Sequence, residues 1–345
     1  MRNHEVTEKQ LLLNGSGNIA EPGWAPKQIW EYRRSDIKAS KLRIKEWDYY
    51  LVVGKDFAGA FTISDDGYIG LQSVSLLTFG EKPWEHTETI LNVLPMGKFK
   101  LPGNSDEGDV VYEDKRLQMK FEKTEGARHI TCTFKDFFEK KPFACDIVLA
   151  QPDMDSMVIA TPWDKDKHFY YNQKINCMRA SGWMEYDGVR YEFDPSHDFG
   201  TLDWGRGVWT YDNTWNWGNG NCDMDGHSFG FNIGYGFGNT EAASENILIY
   251  DGKAHKLDDV TFNIPKKADG SFDYMSPWTF SSSDGRFEMD FVPVLDRAAK
   301  MDFKVLISDQ HQVFGRMSGT AVLDDGTKIE VKDLLCFAEK VHNRY

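Results

Sequence analysis

The sequence predicts an all-β fold made of many short antiparallel strands. Three observations carry that expectation. Apolar and polar residues alternate at period two through most of the chain, Gly, Asp and Asn punctuate these runs at short intervals, and helical periodicity is scarce. Short strands at this spacing point to barrels or sandwiches, not to a wound α/β sheet.

The elements follow in order. A polar leader gives way to GWAPKQIWEYRRSDI, where Pro26 and mixed charges predict an extended crossing segment. Strands are expected over residues 41–53, 59–79 and 88–95, with the turn Asp65-Asp66-Gly67 inside the second run. A hairpin turn is expected at 124–126 and a strand over 142–151. Prolines, acids and a break in strand spacing then suggest a boundary within 152–167, dividing the chain into an N-terminal unit, 1–160, and a C-terminal unit, 161–345. Further strands are expected over 167–173 and 180–185, followed by DGVRYEF after the turn Asp187-Gly188. In GFNIGYGFG, glycines 230, 234, 236 and 238 alternate with larger residues, as if one strand face were kept bare for a ligand or a neighbouring backbone. Hairpins around Asp251-Gly252 and Asp325-Gly326 close the pattern.

Composition bounds the function. The 345 residues include 40 basic and 54 acidic side chains, a net charge of −14 that disfavours nucleic acid and anionic membrane surfaces as partners. No apolar run approaches the roughly 20 residues of a membrane helix, and the N-terminus lacks a signal core, so a cytoplasmic location is expected. The five cysteines lie far apart with no CxxC pair, which argues against disulfides and zinc. Neither a metal nor a cofactor is expected: HExxH and phosphate-loop patterns are missing, and DMDG (223–226) matches only part of a calcium loop.

The stretch 196–220, SHDFGTLDWGRGVWTYDNTWNWGNG, concentrates the chemistry. Trp204, Trp209, Trp215 and Trp217 are interleaved with His197, Asp198, Asp203, Arg206, Asp212 and Asn216. Tryptophan offers a large apolar face with one polar tip, which suits a site that holds and orients a ligand; it equally suits a core. Ionisable groups among the rings favour a site, because buried charge is costly unless paired or used.

The motifs WDYY (47–50), DDGYIG, LDWGRGVW (202–209), TWNW (214–217), NIGYGFG with Glu245-Asn246, HQVFG (311–315) and FAE (337–339) resemble a bacterial family of unknown function. More remotely, FYYNQKINCMRASGWMEYDGVRYEF with LDWG is similar to calycin-like proteins that include carotenoid 1,2-hydratase, tocopherol cyclase and fungal Diels-Alderases. That resemblance implies two lipocalin-like antiparallel barrels side by side, an apolar pocket, no bound cofactor, and water addition or cyclisation on long apolar molecules. It attaches to Asp203, Trp204 and Gly205, and to His197 and Asp198. Arg206 and the TWNW run depart from the pattern.

The expected function is binding of an apolar or amphipathic small molecule, lipid or terpenoid-like, in a Trp-lined barrel pocket, with hydratase, isomerase or cyclase chemistry by proton transfer. Asp203 is the expected acid, its proton held by an apolar wall, and His197 its proton partner. Arg206 either fixes a ligand head group or pairs with Asp203. Trp204, Trp209, Trp215, Asn216, Trp217 and Tyr235 complete the ligand-binding set. Two alternatives stand beside this one: a carbohydrate-active protein using tryptophan platforms with a pair from Asp198, Asp203 and Asp212, and a non-catalytic carrier.

Overall fold

Period-two alternation buries one side of a strand, and a strand covered on both sides is buried along its whole length. Both kinds occur here. The computed structural model describes residues 3–302 and 307–344. The chain begins with β1 (Gln10–Leu11), β2 (Gly23–Ala25), β3 (Trp30–Glu31), β4 (Ile44–Val53), β5 (Phe57–Asp65), β6 (Ile69–Thr78) and β7 (Trp84–Val93). It continues with β8 (Val110–Glu113), β9 (Leu117–Thr124), β10 (Ala127–Phe138), β11 (Lys141–Ala150), β12 (Met157–Pro162), β13 (Phe169–Tyr186), β14 (Val189–Phe193) and β15 (Phe199–Val208). The remainder is β16 (Asp212–Met224), β17 (His227–Tyr235), β18 (Ile247–Tyr250), β19 (Lys253–Lys256), β20 (Val260–Asn263), β21 (Trp278–Ser282), β22 (Phe287–Asp302), β23 (Ile307–Val322) and β24 (Lys328–Arg344). Two 3-10 turns, Arg34–Asp36 and Lys41–Arg43, are the helical segments among the described residues.

Apart from β1 and β3, which pair with each other in parallel, the strands form two large antiparallel sheets, each curled into a half-barrel. The first runs β7-β6-β5-β4-β15-β13-β11-β10-β9-β8, with β12 and β14 also on β13 and β2 on β12; the second runs β19-β18-β17-β16-β24-β23-β22-β21-β20. Side chains, not a ladder, join the edges of the first sheet: Asn92 Nδ2 on β7 donates to Tyr112 Oη on β8 at 3.1 Å, and Arg116 Nη2 donates to Glu88 on β7 at 2.7 Å.

Each half-barrel encloses its own core, around Phe61, Phe134 and Trp204 in the first and Phe231, Trp278 and Phe291 in the second. A third apolar cluster lies between the sheets, where Leu51, Tyr170 and Phe199 meet Trp217, Phe314 and Phe337. The half-barrel interiors are thus filled by side chains, and the sheets pack through their outer faces.

The division of the chain expected near residue 160 falls inside one sheet, since β12 and β13 pair with each other and β13 pairs with β11 and β15. The change of sheet comes at 209–211, where the Trp-rich stretch carries the chain from β15, central in the first sheet, to β16, central in the second. The two strands expected between 167 and 185 are one, β13. A bulge between Ile175 and Met178, with Cys177 at φ +60°, shifts register without ending the strand. The turns at Asp187-Gly188 (φ +52° and +75°) and Asp251-Gly252 (φ +47° and +74°) take the left-handed pair that two-residue hairpins favour. DMDG is also a hairpin turn: Asp223 accepts from the Gly226 amide at 2.8 Å and pairs with Arg179 at 2.6 Å.

Candidate functional site

Alternation along β15 decides what its motif does. Thr201, Asp203, Gly205 and Gly207 face the second sheet, while Leu202, Trp204, Arg206 and Val208 point into the first half-barrel. Asp203 and Arg206, weighed above as an ion pair, therefore sit on opposite faces with separate partners. Arg206, fully buried, donates Nη2 to Asp48 Oδ1 at 3.0 Å and to the Pro102 carbonyl at 2.8 Å, and its guanidinium carbon lies 4.2 Å from the Trp204 ring. Trp204 is wholly buried in the same core, edge-on to Tyr171. Both residues belong to the interior of the first half-barrel.

Asp203 faces the gap between the sheets. Its Oδ1 accepts from Lys174 Nζ at 2.8 Å and from Asn172 Nδ2 at 2.7 Å. Lys174 comes from β13, whose alternation places Tyr170, Asn172, Lys174 and Asn176 on the inter-sheet face. Its ammonium lies 3.8 Å from the Trp217 ring centroid, a cation–π contact from one sheet to the other. Trp217 Nε1 donates to Asn232 Oδ1 at 2.7 Å, and Asn232 Nδ2 donates to the Glu245 carbonyl at 2.9 Å.

Two further carboxyls close on this pair. Glu339 on β24 accepts from Trp215 Nε1 and from Gln312 Nε2, each at 3.0 Å, and burial pushes its carboxyl up to about 7. Glu245, in the segment before β18, is 2 % exposed, and neither of its carboxylate oxygens has a hydrogen-bond partner. Burial also raises Glu245 to about 7, opposed by the Lys174 charge, reinforced by Asp203, and opposed in turn by the nearby Asn232 amide and the Lys256 charge. Lys174 thus faces three carboxyls, and desolvation keeps protons on two of them near neutrality. Tyr170 completes the group: its hydroxyl is buried without a partner, and burial together with Glu245, Asp203 and Glu339 holds it well above the ordinary phenol range.

The glycines make room for these groups. A Cβ on Gly205 would lie 2.0 Å from the Trp47 ring, and one on Gly207 would lie 3.2 Å from Trp209 Nε1, so both indoles rest on bare backbone. On β17, a Cβ on Gly234 would meet Glu245 Oε1 at 2.8 Å and the Phe237 ring at 3.2 Å. Of the four glycines expected on one bare strand face, Gly230 and Gly234 lie on β17 with Asn232 between them, Gly236 and Gly238 fall beyond it at positive φ, and it is Gly234 that admits the Glu245 carboxyl.

The remaining candidates divide by position. Trp209, Trp215 and Trp217 line the inter-sheet region, with Trp209 and Trp215 edge to face at 5.1 Å. Asn216 lies on the other face of β16, turned towards the second core, and Tyr235 is partly exposed with its ring edge on Phe262. His197 sits in the turn before β15, half exposed, with Nδ1 2.5 Å from Asp198 Oδ1. The extended run from Phe199 to Asp203 alone spans about 13 Å, and His197 lies beyond it in the turn, too far for direct proton exchange. The acids weighed for sugar hydrolysis do not share a site: Asp198 caps the turn with His197, and Asp212 pairs with His342 at the far end of β16.

Tyr170, Lys174, Glu245 and Glu339 carried no role in the sequence reading. A signal existed, because FYYNQKIN read at period two puts Tyr170, Asn172 and Lys174 on one face, and TWNWGNGN does the same for Trp215, Trp217 and Asn219.

No curated protein matches the chain in sequence. Among solved structures it is similar to AttH from Nitrosomonas europaea, at 13 % identity and TM-score 0.51, covering 90 % of this chain and 96 % of that one. It is also similar to kievitone hydratase from Nectria haematococca, at 10 % identity and TM-score 0.47, covering 98 % of each chain. CghA solved with Sch210972 is a third, at 10 % identity and TM-score 0.38, covering 96 % and 97 %. The likeness to AttH is one of fold, the paired antiparallel sheets expected from the motifs. A family model described as "Domain of unknown function (DUF2804)" matches residues 3–345, and the chain belongs to that family.

Proposed function

We propose that this protein moves a proton to or from a carbon atom of an apolar or amphipathic small molecule, lipid or terpenoid-like, held between the two sheets, without a cofactor. The hydratase, isomerase and cyclase chemistries share that step. The observation that carries the reading is the Glu245 carboxyl: buried, with neither oxygen in a hydrogen bond of good geometry, and held near 7 beside the Lys174–Asp203 pair. A group titrating near neutrality exists in both forms and can accept or deliver a proton at low cost. A structural carboxylate in this position would be expected to have its oxygens occupied.

In this reading Glu245 exchanges the proton. The Lys174 ammonium, fixed by Asp203 and Trp217, stabilises negative charge developing nearby. Trp217, Phe237 and Tyr170 supply apolar walls that keep water out. Glu339, tethered to Trp215 and Gln312, holds a second proton within the same enclosure. Asp203 changes role from the expected acid to the anchor of Lys174.

The test is an exchange experiment in heavy water. Purified protein is incubated with a solvent extract of bacterial lipids and terpenoids, and deuterium at carbon is read by mass spectrometry. At least one compound should gain deuterium with wild type, and Glu245→Gln should slow the exchange by about a hundredfold or more. Lack of wild-type exchange, or equal exchange in the variant, overturns the proposal.

A further inference from the structure

Tyr170 presents a feature that proton exchange at Glu245 does not itself require. The residue is 1 % exposed and its hydroxyl has no hydrogen-bond partner, although its ring is fixed by stacking on Phe237 at 5.0 Å between centroids. Phe237 and Glu245 Oε1 both press on the bare backbone of Gly234, so the Tyr170 ring and the Glu245 carboxyl flank one side chain. A second donor lies beside the first. Trp209, 5 % exposed, meets Tyr170 edge to face at 5.9 Å, and its Nε1 also has no acceptor. Leaving one buried donor unpaired is costly, and leaving two on neighbouring rings asks for an acceptor that both could serve.

We infer that the substrate carries a carbonyl oxygen conjugated or adjacent to the carbon that exchanges its proton, and that Tyr170, assisted by Trp209, donates to this oxygen. The inference rests on the proton-transfer reading above and narrows its substrate class to enolisable carbonyl compounds. The step balances without a further reactant. The Glu245 carboxylate takes the proton from the carbon beside the carbonyl; the C–H pair becomes the enolate double bond, and the carbonyl π pair moves onto oxygen. Tyr170 and Trp209 hold that oxygen by hydrogen bonds. Return of the proton from Glu245 to the same carbon gives exchange, and return to the far end of a conjugated system gives an isomer. Two features of the group suit this direction. A carboxyl near 7 is a stronger base than an ordinary one, and a phenol held far above its usual range remains a donor throughout. Tyr170 would be a catalytic residue by contact with the reacting oxygen.

The test uses binding, so it does not depend on turnover. 2-Naphthol imitates an enolate oxygen on an apolar frame, and naphthalene is its oxygen-free control. Wild type should bind naphthol at least tenfold tighter than naphthalene, with the naphthol absorption shifted towards that of the ionised form. Tyr170→Phe should abolish the preference while its melting temperature stays equal to or above wild type, since the substitution deletes an unpaired buried hydroxyl. Trp209→Phe, which keeps a ring but removes the N–H, should weaken it in part. Equal affinity for both probes, no binding of naphthol, or a preference intact in Tyr170→Phe overturns the inference. A retained naphthol preference without deuterium exchange would leave the oxygen site standing and remove the proton-transfer reading, so the two fail separately.

Discussion

Glu245 concentrates the residue-scale argument because its environment makes stability depend on pH in a direction opposite to most acids. In the unfolded chain a glutamate ionises near its ordinary value of 4.5, whereas in the folded protein burial holds the proton to about 7. Between these values the folded state binds more protons, so this residue's contribution to stability falls as pH rises from about 4.5 to 7, then stays constant. The shift corresponds to about 3 kcal/mol. Glu245→Gln should therefore gain roughly that much stability relative to wild type between pH 5 and pH 8 in paired denaturant titrations. A pH-independent difference would place the Glu245 carboxyl in contact with water. Asp203 behaves differently, because Lys174 is 2 % exposed and depends on it. Asp203→Asn should cost up to about 3–5 kcal/mol by removing the carboxylate in direct contact with a buried ammonium, less what ionisation of Glu245 or Glu339 returns, and adding Lys174→Met should restore most of the loss. Arg206→Met, on the opposite face, should add to Asp203→Asn without coupling; a measured coupling above about 1 kcal/mol would mean that the two side chains meet after all.

At the scale of elements, β15 shows why glycine is interleaved with charge in LDWGRG. Its inter-sheet face must stay flat where the Trp47 ring lies on Gly205, and atoms of that ring would sit 2.0, 2.2 and 2.4 Å from an added Cβ. Gly205→Ala should cost about 1–3 kcal/mol through displacement of the indole, visible as a lower melting temperature and altered tryptophan fluorescence. Gly218→Ala, whose nearest neighbour would be Ile233 at 3.2 Å, should cost less. The same reasoning separates the β16–β17 turn from a calcium loop, since Asp223 is engaged by Arg179 and by its own turn. Millimolar calcium should leave the melting temperature unchanged, and a rise of several degrees would reopen the metal reading.

For the whole molecule, the third apolar cluster makes the two sheets one cooperative unit. Phe337 on β24 meets Trp217 edge to face at 4.7 Å and lies 5.7 Å from Phe314, all between the sheets. Arg297 on β22 adds a polar clasp, donating to Ser75 at 2.7 Å and Thr87 at 3.2 Å across the gap and to Gln312 at 2.8 Å on its own side. Calorimetry should show a single unfolding transition, and Phe337→Ala should lower it by about 3–5 kcal/mol as a single peak. Two resolved transitions in wild type would show that the half-barrels are independent.

What the sequence alone determined follows from short-range rules. Period-two alternation and the Asp-Gly turns specify strands and hairpins from residues adjacent in the chain, which is why the all-β class and the turns at Gly67, Gly188, Gly252 and Gly326 were legible. The family was legible as well, because its motifs are contiguous. The pairing of Lys174 with Asp203, and the convergence of Glu245, Glu339 and Tyr170 on them, depends on strands up to 169 residues apart along the chain (170 to 339) being brought face to face. The tertiary structure was needed to show that the sheets pack by their outer faces, that the change of sheet falls at 209–211, and that Lys174 answers Asp203 while Asp48 answers Arg206. The physical reason is that proximity in sequence sets which face a side chain occupies, whereas burial and charge pairing are set by what the fold places opposite that face.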